Sequence, residues 1–73
     1  MTPTHELIRL AAAGGAITID ARERSTEDLI DIAAAAKGTR AKITIYNVDS
    51  HPTDELIRIA AAGGGAVAFE FRW

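Results

Sequence analysis

The chain repeats one pattern three times, and this repetition limits its possible folds more than any other feature. A segment rich in Leu, Ile and Ala begins at Thr4 and returns at Thr26 and at Thr53. Each copy is followed by a short run of alternating apolar and polar residues, which is typical of a half-buried strand. We therefore expect tandem helix–strand units over residues 4–20, 26–46 and 53–73, within a single domain spanning residues 1–73.

The first half of each unit carries the signals of a helix. Its threonine can cap the helix by accepting a hydrogen bond from a first-turn N–H group, and acidic residues follow where the helix dipole favours negative charge. In the middle copy, Ser25 followed by Asp28 forms a variant capping box. Apolar residues at i, i+3 and i+4 form one stripe, and glycines mark the helix ends.

The second half of each unit alternates so strictly that it predicts the two faces of a sheet. One face would carry the isoleucines of the first two strands together with Val67, Phe69 and Phe71. The other face would carry Thr18, Asp20, Lys42, Thr44, Tyr46, Glu70 and Arg72. Parallel sheets covered on both faces are usually apolar on both, so we expect all three helices on one face. The predicted fold class is α/β, with a three-stranded parallel sheet in the order 1-2-3, right-handed crossovers and one open face.

This arrangement resembles, in shape, the αβ solenoid of leucine-rich-repeat proteins, which build one coil from each repeat. The likeness covers nearly the whole chain. However, the asparagine-bearing leucine-rich signature of that family is missing from all three copies. No functional residue of that family is therefore carried over to this chain.

Composition narrows the classes of function. The 73 residues include no Cys, which excludes disulfides and thiolate metal sites, and the net charge is −2 with both signs interspersed. Direct nucleic-acid binding usually requires a basic face, so we expect none. No apolar run approaches the roughly 20 residues that span a bilayer, and the N-terminus lacks a basic signal-peptide region. These features indicate a cytoplasmic protein with no membrane association.

The residues that could carry catalysis are arranged unfavourably for it. The glycine clusters at 14–15 and 63–65 follow helices and precede strands, the reverse of a phosphate loop, so they predict turns. His51 lies beside Asp49 and Ser50, but consecutive residues do not converge into a triad, and we expect an exposed loop histidine. Asp20 and Glu70 would lie roughly 10 Å apart across two strand spacings. We expect no enzyme activity, no cofactor and no metal.

The loops after the first two strands would lie at the carboxyl ends of the sheet, where open α/β folds place ligands. This rim would carry Arg22, Arg24, Asp49 and His51. It predicts either a site for a small molecule or anion, or a solvated loop edge.

The last strand would be an edge, and an exposed strand edge is a template for pairing with another strand. Phe71 and Trp73 extend beyond the positions that the other strands occupy. These aromatic residues favour association through the edge, with local packing over the helix ends as the alternative.

The predicted function is a module that binds another protein. Its contact residues would be Thr18, Asp20, Lys42, Thr44, Tyr46, Glu70, Phe71, Arg72 and Trp73. In size and class the chain resembles small phage inhibitors of larger machines, such as anti-CRISPR proteins, and this resemblance implies inhibition by contact. The alternative is a structural, scaffold or designed repeat protein without catalytic activity that forms homo-oligomers through its sheet edges.

Overall fold

The computed structural model describes residues 3–71, and within them helices and strands alternate as the repeat predicts. The elements are α1 (Thr4–Ala12), β1 (Ala16–Asp20), α2 (Thr26–Ala36), β2 (Lys42–Tyr46), α3 (Thr53–Gly63) and β3 (Val67–Glu70). Short 3₁₀ turns over Ala21–Glu23 and Val48–Ser50 follow the first two strands. Arg72 and Trp73, which the sequence places on the binding surface, lie outside the described residues.

The three strands form one parallel sheet in the order β1-β2-β3, which confirms the predicted topology. Ile17, Ile43 and Val67 stand side by side in the register. The predicted third strand was too long, because β3 ends at Glu70 and Phe71 lies beyond it. Phe71 has 49% of its surface exposed.

The core lies between the three helices and one face of the sheet. Ile43 and Ile45 of the central strand have no exposed surface, and neither have Ile32 of α2 and Ile59 of α3. Full burial of such a side chain contributes about 1.5–3 kcal/mol, so these residues supply much of the stability of a chain without Cys. At the alternate strand positions, Thr18, Lys42 and Glu70 are exposed, and Asp20, Thr44 and Tyr46 are half-buried. The helices therefore pack on one face and leave the other open, as the alternation predicts.

The helix starts differ from the prediction. Thr4, Thr26 and Thr53 are the first residues of their helices, not the caps, and the caps of α1 and α3 are prolines. Ser25 does cap α2, because its Oγ accepts a hydrogen bond from the main-chain nitrogen of Asp28 at 3.2 Å. The threonine hydroxyls are consequently available for contacts between helices.

The helix ends follow the prediction more closely. Gly64 ends α3 with a φ of 56°, and Gly14 follows α1 with a φ of 90°. Both values lie in the left-handed region, which glycine reaches without a steric cost. The glycines therefore act in turns between helix and strand.

Candidate functional site

The open face of the sheet is ordered in rows, because the strands are parallel and in register. Asp20, Tyr46 and Glu70 are neighbours in one row, and Thr18, Thr44 and Ala68 are neighbours in the next. Lys42 pairs with Ala16 at the start of the strands. The structure thus brings together Thr18, Asp20, Lys42, Thr44, Tyr46 and Glu70, with Tyr46 between the two carboxylates.

Asp20 is fixed at one end of its row by Arg22. The carboxylate accepts hydrogen bonds from the main-chain nitrogen of Arg22 at 3.0 Å and from its Nη2 at 3.2 Å. The Arg22 side chain, its backbone N–H and the Asn47 side chain hold the pKa of Asp20 below its ordinary value. The same contact raises the pKa of Arg22. Asp20 is therefore a stable anion in an ion pair and is poorly suited to act as a general acid.

A shallow open groove of about 250 Å³ lies beside this pair, at the carboxyl ends of β1 and β2. Its walls include Asp20, Glu23, Arg24 and Tyr46, so both signs of charge meet one aromatic ring. Of the four predicted rim residues, Arg24 lines this groove. The groove is open to solvent and is lined by side chains of both charges.

The remaining rim residues separate in the structure. Arg24 reaches inward, and its Nη1 donates a hydrogen bond to the Thr4 hydroxyl at 2.7 Å. Asp49 is exposed on the turn after β2. His51 is enclosed, with its ring against Thr26 and the Ala21 carbonyl, so the four predicted rim residues do not form one site.

His51 lies in the loop before α3, as predicted, but the prediction that it is exposed is wrong, because its side chain is only 11% exposed. Its Nδ1 lies 3.0 Å from the Thr26 hydroxyl and 3.4 Å from Oε1 of Glu55. Its Nε2 lies 3.0 Å from the carbonyl oxygen of Ala21. The contact between α2 and α3 therefore encloses the imidazole.

The hydrogen-bond roles in this cluster follow from its acceptors. The Ala21 carbonyl can only accept, so Nε2 of His51 carries a hydrogen. The Thr26 hydroxyl donates to Glu55, and Nδ1 of His51 lies beside the same hydroxyl and carboxylate. Thr26, followed by His51, holds the pKa of Glu55 below its ordinary value. The hydroxyl of this cluster is half-buried and already donates to Glu55, which does not fit the nucleophile of a hydrolytic triad.

The same cluster occurs once more, one repeat earlier. The Thr4 hydroxyl of α1 accepts from Arg24 and donates to the Asp28 carboxylate of α2 at 3.3 Å. Arg24 corresponds to His51, since each lies two residues before the threonine that starts its helix. Each cluster therefore joins one helix to the next through a threonine, a nitrogen-bearing side chain and an acid. We call these two clusters the threonine bridges.

Sequence reasoning treated the bridging residues as caps and loop charges. The available signal was their recurrence, since Asp28 and Glu55 both occupy the third position of their helices. A helix-dipole argument explains these acids equally well, and it conceals their contact with the neighbouring helix.

Other kinds of site are not supported within residues 3–71. No group of three His, Asp or Glu side chains is arranged to hold a metal ion. None of the three helices described has the length and apolar character needed to cross a membrane. Comparison with known proteins gives no match to a family model, a curated sequence or a solved structure.

Proposed function

We propose that this protein is a small recognition module that binds another protein with the open face of its sheet. The observation that carries the proposal is the row of Asp20, Tyr46 and Glu70 on a face that the described helices leave open. Tyrosine is enriched at protein interfaces and at the residues that dominate their energy. Lys42 adds the opposite charge on the same face.

The fold supports this role by holding the face rigid before binding. The strands are hydrogen-bonded in register, and Ile43 and Ile45 anchor the central strand from behind. A surface ordered in advance loses little conformational entropy on association. Opposite charges on one face favour a partner surface that is itself mixed in charge.

Inhibition of a larger complex is the narrower form of this proposal. A domain of 73 residues acts on a large machine most simply by covering a surface that the machine needs. The absence of Cys fits action in a reducing compartment such as the cytoplasm.

The test is capture of a partner from the source cell with the immobilised domain. Tyr46→Ala removes the central aromatic ring of the row and should abolish capture. Asp31→Ala removes an exposed acid of α2, on the helix side of the molecule, and should leave capture intact. Circular dichroism establishes that both variants are folded. Equal capture by the two variants would contradict the assignment of the open face.

Self-association as a structural protein is the second candidate, favoured by a separate observation. Leu10 of α1 is 51% exposed and Ile57 of α3 is 60% exposed, and these helices lie at opposite ends of the array. Terminal repeats of solenoids normally present polar caps. Measurement of mass in solution tests this candidate independently of any capture experiment.

A further inference from the structure

The exposure of equivalent helix positions shows which side of each helix faces its neighbour. Leu10, Ile32 and Ile59 are equivalent when the repeats are aligned on their threonines. Leu10 is 51% exposed, whereas Ile32 and Ile59 have no exposed surface. This position is buried in α2 and α3, each of which has a helix before it, and is exposed in α1, the first helix described. It therefore faces the preceding helix, and we call this side of α1 the leading side.

A second set of positions behaves in the opposite way. Ile8, Ile30 and Ile57 are equivalent, and Ile57 is 60% exposed whereas the other two are half-buried. This position is exposed only in α3, the last helix of the described chain, so it faces the following helix. We call this side of α3 the trailing side. The two exposed aliphatic residues thus mark the places where the array of helices stops.

The leading side of α1 and the trailing side of α3 each carry one half of a threonine bridge without the other half. Thr4 and Thr26 are half-buried and donate to the acid at the third position of the next helix, whereas Thr53 on the trailing side is exposed. The acid at the equivalent position of α1 is Glu6. Glu6 lies at the surface, 3.5 Å from Nη1 of Arg9 in its own helix. A donor therefore stands at one end of the array and a matching acceptor at the other.

We infer that the trailing side of one copy binds the leading side of a second copy, so that the repeat continues from chain to chain. This inference rests on the self-association candidate and names its partner and its geometry. Ile57 would pack beside Leu10 of the second copy, as Ile30 of α2 packs toward α3. Thr53 would donate to Glu6 of the second copy. The template is the contact already present between α1 and α2 and between α2 and α3.

The sheet edges are compatible with the same stacking. β3 and β1 are the two edges of the sheet, and parallel pairing of β3 with β1 of a second copy would continue the order. In the register of the existing pairs, Glu70 would then stand beside Asp20 of the second copy. Asp20 already accepts hydrogen bonds from Arg22, so Glu70 would meet an ion pair and not an isolated carboxylate.

Because the two binding sides differ, the contact is head-to-tail, and it leads to open chains or rings instead of a closed two-fold dimer. The test uses one variant for each side. Leu10→Glu blocks the leading side and Ile57→Glu blocks the trailing side, both at residues already exposed. Each variant alone should sediment as a single chain of 7.7 kDa. An equimolar mixture should form a dimer of one Leu10→Glu chain and one Ile57→Glu chain, because each supplies the side that the other lacks.

Ala12→Glu and Ala61→Glu are the matched controls. These two positions are equivalent, and both are exposed, as is Ala34 in the middle helix, so they lie away from the contacts between repeats. The control variants should associate like the unmodified chain, whose mass should rise with concentration. Formation of the mixed dimer also shows that both blocked variants are folded.

Two results would overturn the inference in different ways. A strict monomer of the unmodified chain at high concentration would remove the self-association candidate altogether. Association of the Ile57→Glu chain with itself, or an associating unmodified chain whose two blocked variants fail to pair, would leave self-association standing and exclude the head-to-tail geometry. Neither result bears on binding by the open sheet face.

Discussion

The hydroxyl of Thr26, at the start of α2, donates a hydrogen bond to the carboxylate of Glu55 in α3. His51 completes this bridge, with its ring 3.0 Å from the same hydroxyl and 3.0 Å from the carbonyl oxygen of Ala21. The bridge thus connects two helices and the turn after β1. It fixes the spacing of the helices behind the sheet, and through the turn it supports the end of β1 on the open face.

Replacement of Thr26 by Val tests the contribution of this bridge to stability. Val keeps the shape of the side chain but removes the hydrogen that Glu55 accepts and the oxygen that His51 contacts. Because a half-buried polar group then loses its partner, the free energy of unfolding should fall. Chemical denaturation, measured at a protein concentration at which the chain is monomeric, gives the change.

Thr53→Val is the matched control for this experiment. Thr53 occupies the same helix position but is exposed in the single chain, so its replacement should alter stability by no more than about 0.5 kcal/mol. Equal losses from the two variants would show that the threonine contributes through its own helix and not through the bridge.

The bridge also predicts how stability depends on pH. Hydrogen bonds from Thr26 and His51 lower the pKa of Glu55 in the folded chain. At a given acidic pH, a smaller fraction of this carboxylate is therefore protonated in the folded chain than in the unfolded chain. Its stabilising contribution is complete above the ordinary glutamate pKa near 4.5 and is lost as the pH falls through the lowered value. Glu55→Gln should therefore weaken the decline in unfolding free energy on acidification.

Asp54→Asn provides the comparison for the pH experiment, because Asp54 is the exposed neighbour of Glu55 in the same helix. The unfolding free energy of the three proteins is measured by urea titration from neutral pH to about pH 3, below the ordinary pKa range of carboxylates. A slope for Glu55→Gln that matches the unmodified chain would exclude the bridge as a source of the acid sensitivity.

The main features of the fold could be predicted because they depend on local patterns that recur three times. The alternation of Ile17, Thr18 and Ile19 sets the two faces of β1, and equivalent residues do so in β2 and β3. Once the strands are parallel and in sequential order, the row containing Asp20, Tyr46 and Glu70 follows from the register. These inferences require only side-chain periodicity and short connections.

The threonine bridges could not be predicted in the same way, because they join residues more than 20 positions apart through side-chain geometry. In the sequence, a threonine that caps a helix and a threonine that contacts the next helix look the same. Thr26 does the second. His51 lies in a loop beside a helix start, a position typical of an exposed histidine, yet the packing of α2 against α3 encloses its ring. The distinction depends on the spacing of the helices, which periodicity does not determine.

Asn47 begins the connection between β2 and α3 and has a left-handed backbone conformation. The loop over residues 47–52 is one residue longer than the equivalent loop over residues 21–25, and Asn47 accommodates the difference with a φ of 58° and a ψ of 42°. Asparagine enters this left-handed region more readily than most residues. Its side chain also helps to lower the pKa of the Asp20 carboxyl.

Two substitutions separate the backbone role of Asn47 from its side-chain role. Asn47→Ala removes the side chain that lowers the pKa of Asp20 and places an unfavourable residue in the left-handed region, so it should cost about 1 kcal/mol of unfolding free energy. Asn47→Gly also removes that side chain but accepts the backbone angles, so its loss of unfolding free energy should be smaller. Carboxyl NMR titration should show the pKa of Asp20 rising in both variants. If Asn47→Gly lost as much stability as Asn47→Ala, the backbone conformation would not be the reason for an asparagine at this position.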